Sequence, residues 1–329
     1  MAIQRRLLLI ISFFAVAVSA CNDASKQSSS AISASADAQK LPASNKTKKI
    51  ALVLKTLTNP YFIEMETGAR DAAKNLGVDL VVKMASQETA VEQQIQLVDE
   101  LIQTKIDALV IAPSDSQRLV PILKKAQLAG ILVINIDNQL DAATMKSQKM
   151  SPVTFISVDN QTSSYQSAKF IADQIKAPGK AAIIEGIRTS ENARMRTVGA
   201  ERAFAENHNL KLVAKETGNW KIDEAYQVTK KIFTAYPDIT VLFCANDMMA
   251  LGAIKYLSES NKKILIASYD ALADAKIAVK AGSLAVTVDQ QAKKQGYEGI
   301  ALAVRGLNGE KLPDVMLVDT ALVTAQTLQ

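Results

Sequence analysis

Ten short apolar runs alternate with helical patterns from residue 48 onward, and that alternation limits the possible folds more than any other property of the chain. The runs fall at 50–54, 78–82, 107–112, 131–137, 154–158, 181–185, 210–214, 241–245, 264–269 and 284–288. Each is apolar and bounded by turn residues, as a parallel strand buried on both faces should be. In the first intervening segment Phe62, Met65, Ala69, Ala72 and Leu76 recur every three or four residues. Asn59 is placed to cap that helix, Pro60 suits its first position, and Gly77 ends it. Val91, Ile95, Val98, Leu101 and Ile102 repeat the pattern. Successive βαβ units predict an α/β fold of doubly wound parallel sheets with helices on both faces. A chain of 329 residues has material for about two such domains.

The chain also echoes itself. The strand ending Ala112-Pro-Ser-Asp115 is followed by Val133-Ile-Asn-Ile-Asp137, and Val241-Leu-Phe-Cys-Ala-Asn-Asp247 by Ile266-Ala-Ser-Tyr-Asp270. Each half thus carries a strand leading into Asp, a crossover helix, and a second such strand. In open α/β sheets ligands bind beyond the carboxyl ends of the strands, where these polar residues lie. Two similar domains facing each other would bring both sets into one cleft.

The N-terminal residues read as a targeting segment rather than as part of the fold. Arg5-Arg6 precede an apolar run from Leu7 to Val18, which is short for a membrane span, and Val18-Ser19-Ala20-Cys21 follows. Residues 1–20 have the layout of a signal peptide and resemble a bacterial lipoprotein signal, which implies lipidation of Cys21 and an exported protein anchored at a membrane. Residues 21–47, rich in Ser and Ala, cannot repay their ordering entropy and are expected to be a flexible tether. Removing Arg5 and Arg6 with the signal leaves 36 basic residues against 33 acidic, a balance that gives no reason to expect a nucleic-acid partner. Cys244, within Val-Leu-Phe-Cys-Ala, reads as a buried thiol, and no disulfide is expected.

Catalytic constellations are scarce. His208, the only histidine, sits in the polar stretch Ala-Glu-Asn-His-Asn, so no Ser-His or Cys-His pair is available. There is no Gly-rich phosphate loop and no Cys/His cluster with metal spacing, so neither cofactor nor metal is expected. Asp137 and Asp270 could form a glycosidase-like pair, but nothing else in the chain supports an enzyme.

Several stretches occur together in order: Thr56-Leu-Thr-Asn-Pro-Tyr-Phe62, Asn135-Ile-Asp137, Asn192-Ala-Arg-Met-Arg196, Ala245-Asn-Asp-Met-Met-Ala-Leu-Gly-Ala253, Tyr269-Asp270 and Leu284-Ala-Val-Thr-Val-Asp-Gln290. In them, residues 48–329 resemble the periplasmic sugar-binding proteins of the ribose-binding type, the receptors of bacterial ATP-driven sugar importers. The resemblance implies two similar lobes joined by a three-strand hinge, the type I periplasmic-binding-protein fold. Crossings near Val158, Gln290 and Asp319 would divide the chain into 48–158 plus 291–319 and 159–290 plus 320–329. It implies a monomer that closes on a sugar or polyol and delivers it to membrane permease subunits. A sensory receptor on the same fold is the alternative. A repressor of related fold would need a helix-turn-helix where this chain has a signal and tether.

Carried over position by position, the resemblance places Lys55, Asn59, Tyr61, Phe62, Asp137 and Asn138 of the first lobe in the site. Arg194, Trp220, Asn246, Tyr269 and Asp270 would come from the second lobe, with Gln290 at the hinge. Asp115 and Asp247 read as helix caps and are set aside. Charged donors and acceptors suit hydroxyl groups, and aromatic faces suit the C–H surface of a sugar ring. Ala112, Asn138 and Lys55 depart from the ribose-binding pattern, which puts ribose itself in doubt. With Arg194 and Lys55 set against Asp137 and Asp270, a nearly neutral pocket is expected, suited to an uncharged sugar or polyol.

Overall fold

The computed structural model describes residues 47–329. The expected signal peptide, the lipidation site Cys21 and the tether as far as residue 46 lie outside the described residues. The ten apolar runs form β1 (Lys49–Leu54), β2 (Asp79–Met84), β3 (Ala108–Ile111), β4 (Leu132–Ile136), β5 (Thr154–Ser157), β6 (Gly179–Glu185), β7 (Leu210–Thr217), β8 (Ile239–Cys244), β9 (Leu265–Ala267) and β10 (Val286–Asp289). Two more strands, β11 (Val315–Leu317) and β12 (Ala321–Thr324), follow. Neither is among the ten apolar runs; β11 is a short edge strand with Val315 and Leu317 exposed.

The strands make two sheets, ordered β11-β5-β4-β3-β1-β2 and β12-β10-β9-β8-β6-β7. Position by position the two orders match, which accounts for the echo in the sequence. All pairings are parallel except that of β12 with β10, which is antiparallel. The chain passes between sheets three times: after β5, after β10 and after β11. Two bonds tie these passages together, from Val318 N to Ser157 O at 2.7 Å and from Gln291 Nε2 to Asp319 O at 2.7 Å.

Helices α1 (Pro60–Leu76), α2 (Val91–Gln103), α3 (Val120–Leu128) and α4 (Ala142–Ser147) serve the first sheet. The second has α5 (Asn160–Ala172), α6 (Glu191–Glu206), α7 (Ile222–Ala235), α8 (Asp247–Glu259) and α9 (Ala273–Ala281). Helix α10 (Ala292–Leu307) returns to the first sheet and packs along α1 and over β3 and β4. Helix α1 begins as its sequence dictates: Asn59 Oδ1 accepts from Tyr61 N at 3.1 Å, and Gly77 closes it at φ 66°. A Cβ at Gly68 would lie 1.8 Å from Lys293 O, and one at Gly296 would lie 1.9 Å from Met65 O. Glycine at both crossing points therefore lets the α1 and α10 backbones touch. This seats the start of α1, with its aromatic pair, against the hinge.

Candidate functional site

The loops after β1, β2, β4, β7, β8, β9 and β10, together with the first turns of α1 and α6, contribute side chains to one buried cavity between the lobes. From the first lobe, Tyr61 and Phe62 meet edge to face, with centroids 5.1 Å apart. Lys55 lies 1% exposed with its Nζ 5.6 Å from the Phe62 ring centroid. Its ammonium forms a buried ion pair with Asp137 Oδ2 at 2.7 Å. Asn59 caps α1 with its oxygen and donates from Nδ2 to Glu88 Oε1 at 3.0 Å.

Arg196 organises the opposite wall. Its Nε donates to Asn160 Oδ1 at 2.8 Å, Nη1 to Ala245 O at 2.9 Å, and Nη2 to Gln290 Oε1 at 3.2 Å. Nη1 also stands 3.5 Å from Asp270 Oδ1, which accepts from Gln290 Nε2 at 2.6 Å. The guanidinium lies 3.7 Å from the Tyr269 ring centroid and 5.7 Å from that of Trp220. Trp220 fits only because residue 186 is glycine; a Cβ there would lie 2.0 Å from the indole.

Strain marks the same loops. Asp137 (φ 63°), Trp220 (φ 66°) and Asp270 (φ 119°) all hold backbone conformations that cost non-glycine residues about 1 to 3 kcal/mol. Asp137 and Asp270, the two ends of the echo, thus both turn into the cavity at positive φ, though at different angles. Beneath Asp270, the fully buried Asp247 holds its loop: Oδ2 accepts from Leu272 N at 2.8 Å and Oδ1 from Thr287 Oγ1 at 2.7 Å, with Ser268 donating too.

Burial governs the proton affinities. It pushes Asp247 up to about 6, against the pull of its hydroxyl donors, and raises Asp270 well above the carboxylate range despite Arg196. Burial likewise raises Glu88 and, helped by Asp137, the Tyr61 phenol. Tyr61 therefore stays a neutral donor. Two cations and three carboxyls line the cavity, and burial biases Glu88 and Asp270 towards their neutral forms.

The structure places three of the expected residues off the cavity wall. Arg194 is exposed and bound to Glu191, Nε to Oε2 at 2.8 Å. Asn192 and Arg196 are four apart on α6 and share the cavity-facing side, whereas residue 194 points away. Asn138 is buried but turned from the cavity, with Nδ2 on Pro113 O at 2.9 Å and Oδ1 accepting from Asn192 N at 3.2 Å. Tyr269 lies behind Arg196 rather than on the cavity wall, its hydroxyl on Ser163. Glu88, Asn192 and Arg196 are the cavity residues that the sequence reading missed. Asp115 caps its own loop as expected, accepting from Gln117 N and Arg118 N at 2.8 Å each. At α8 it is Asn246 that caps, accepting from Met249 N at 2.9 Å, and Asp247 is the first helical residue. Cys244 is a buried free thiol.

Among the described residues six buried side-chain atoms lack a hydrogen-bond partner; Tyr61 OH, Asn192 Oδ1 and Trp220 Nε1 belong to this cavity, as does Asp137 Oδ2, which has only the Lys55 ammonium beside it. Unpaired buried polar atoms are costly, so their collection in one place marks a site built to be completed by a polar ligand. The free space among them is about 20 Å³, room for about one water molecule, so anything larger enters as the lobes part.

Two α/β lobes, three crossings and a buried polar cavity between the lobes define a two-lobed binding protein. The family described as the periplasmic binding protein domain matches residues 50–311, and the chain belongs to that family. It is 35% identical over 266 residues, 80% of this chain and 83% of the other, to the D-ribose/D-allose-binding protein of Pseudomonas aeruginosa. Identity to the D-allose-binding periplasmic protein of Escherichia coli is 32% over 283 residues, 83% of this chain and 91% of the other. A periplasmic solute-binding protein of an ABC transporter from Actinobacillus succinogenes, solved with bound D-allose, superposes with a TM-score of 0.81 at 38% identity, covering 86% of this chain and 99% of the other.

Proposed function

We propose that this protein is the receptor of an ABC-type sugar importer, and that its ligand is a neutral monosaccharide of the allose and ribose class. The observation that carries this is the group of unpaired buried polar atoms between the lobes, lined by aromatic rings and by opposed charges. Hydroxyl groups can donate to Asp137 and Asn192 and accept from Trp220, Tyr61, Lys55 and Arg196. Hydrogen bonds to the charged members are worth about 1.5–3 kcal/mol each. Phe62 and Trp220 supply faces for C–H surface. Relatives that bind allose and ribose support the sugar class. Contacts from both lobes favour the closed form, and closure is the state a membrane permease would read.

Melting of the mature protein with D-allose, D-ribose, other aldoses, polyols and sugar acids tests this. A ligand at a hundredfold excess over Kd stabilises by about 2.7 kcal/mol. At about 2–4 °C per kcal/mol for a chain of this order, that is a shift of about 5–10 °C. A shift with neutral aldoses alone fits the proposal; a shift only with sugar acids, or none with any sugar, refutes it. The Val18-Ser19-Ala20-Cys21 stretch supports an anchor by lipid at Cys21. Cys21→Ser should then abolish labelling by radioactive palmitate, and persistent labelling would rule out that anchor.

A further inference from the structure

The first turn of α6 is capped by the other lobe. Its own N-cap residue, Ser190, makes no side-chain cap bond; its hydroxyl instead crosses the cleft to donate to Ser114 O at 3.2 Å. The first two helical amides, which have no partner within a helix, find theirs across the cleft. Glu191 N donates to Ser116 Oγ at 3.0 Å, and Asn192 N to Asn138 Oδ1 at 3.2 Å. A fourth bond runs from Ser116 N to Thr189 O at 3.2 Å. Ser114, Ser116 and Asn138 sit in loops of the first lobe, all are buried, and none lines the ligand cavity.

We infer that Ser116 and Asn138 set ligand affinity without touching ligand, by capping α6 across the cleft and so stabilising the closed form on its own account. This rests on the reading of the protein as a closing clamp. A ligand that binds only the closed form has an apparent Kd equal to its intrinsic Kd divided by the closed fraction. Lobe-to-lobe bonds that persist without ligand raise that fraction and tighten binding of every ligand the cavity accepts. They also give the empty protein a measurable closed population. Specificity stays with the cavity residues, whereas overall affinity is tuned here. Asn138 does double duty, since its Nδ2 also secures Pro113 O within its own lobe. Ser116 Oγ in turn donates to Asn138 Oδ1 at 3.3 Å, so Ser116→Ala removes one cross-cleft cap outright and loosens its neighbour.

The experiment labels Leu128→Cys and Ile277→Cys, exposed positions on α3 and α9 of opposite lobes, with a fluorescent donor and acceptor in the mature protein. Single-molecule energy transfer then gives the closed-to-open ratio with and without D-allose. The ligand-free protein should show a closed population, and Ser116→Ala should lower its ratio to the open form about 2- to 10-fold, the range for one hydrogen bond. The ligand-saturated distance should not change. The Kd should weaken by the same factor as the closed fraction falls, with the release rate carrying most of the change. Adding Asn138→Ala should lower the ratio further. A ligand-free protein found only in the open form, or a Ser116→Ala ratio and Kd equal to wild type, overturns the inference. If no sugar binds but the ligand-free closed population still falls in Ser116→Ala, the sugar reading fails and the cross-cleft caps stand.

Discussion

Replacing Arg196 by methionine removes the hub of the second lobe's wall while keeping much of its volume. Three acceptors lose their donor, Asn160 Oδ1, Ala245 O and Gln290 Oε1, and Asp270 loses its cation. Breaking a buried ion pair by removing one partner costs about 3–5 kcal/mol. Asp270, already pushed up by burial, can take a proton instead of standing as a bare charge, so the lower end of that range applies. About 3 kcal/mol corresponds to a melting temperature lower by roughly 6–12 °C. Loss of a single charge-assisted bond to the ligand, about 1.5–3 kcal/mol, weakens binding about 10- to 150-fold. Arg194→Ala is the control. Its ion pair is exposed and worth under about 1 kcal/mol, and its side chain never reaches the cavity, so affinity should be unchanged. Calorimetric titration of both variants with the sugar found by melting decides the matter. Near-normal affinity in Arg196→Met with loss in Arg194→Ala would mean that α6 turns its other face to the ligand, and the site described above would be wrong.

Trp220 is the only tryptophan in the chain and borders the cavity, so ligand binding should change the intrinsic fluorescence at 295 nm excitation in proportion to occupancy, about as any indole does when its polar surroundings change; a silent titration with a ligand that shifts melting would exclude contact. Gly186→Ala should drive the indole from its place and weaken binding about tenfold or more, with the fluorescence maximum shifted, whereas wild-type spectra and affinity would refute the close fit. For Asp247, the raised folded-state value means that the native protein holds a proton that the unfolded chain has released, so the stability this contributes is present at about pH 4 and lost as pH rises through about 6. The melting temperature of Asp247→Asn relative to wild type should therefore rise between about pH 4 and 6, and a difference independent of pH would contradict the assignment. Gly296→Ala should push α10 from α1 and lower the melting temperature by several degrees; an unchanged value would mean the helices can separate at no cost.

The sequence carried the strands well because each interior strand is apolar on both faces, and it carried the first turn of α1 because Asn59, Pro60 and Gly77 are local signals. It did not carry β11, whose three residues pair along an exposed edge. The choice of Arg194 over Arg196 turned on the phase of α6, and there the apolar stripe is faint. Apart from Phe204 at its end, the apolar part of its buried face is Ala193, Gly199, Ala200 and Ala203, small residues that periodicity hardly registers. Glu88 sits in the polar stretch Ser-Gln-Glu-Thr and becomes a cavity residue only when Asn59 reaches across to it. Asn138 follows Asp137 directly, but with Asp137 at φ 63° the two side chains diverge. One faces the cavity and the other the opposite loop.

Helix α10 has a bearing on how the molecule is made. Ile300, Leu302 and Ala303 join the core that Val110, Ile134 and Ile136 of the first sheet also line. Synthesis runs from the N-terminus, so when β1–β5 have emerged from the ribosome that sheet still lacks the part of its cover that α10 supplies, and the second sheet waits longer for β12. A nascent chain stopped before residue 292 leaves the apolar flank of β3 and β4 bare, which predicts engagement by chaperones and rapid proteolysis of such truncations. Because its earliest lobe is finished by almost its latest residues, that lobe cannot complete its core until nearly the whole polypeptide has been built.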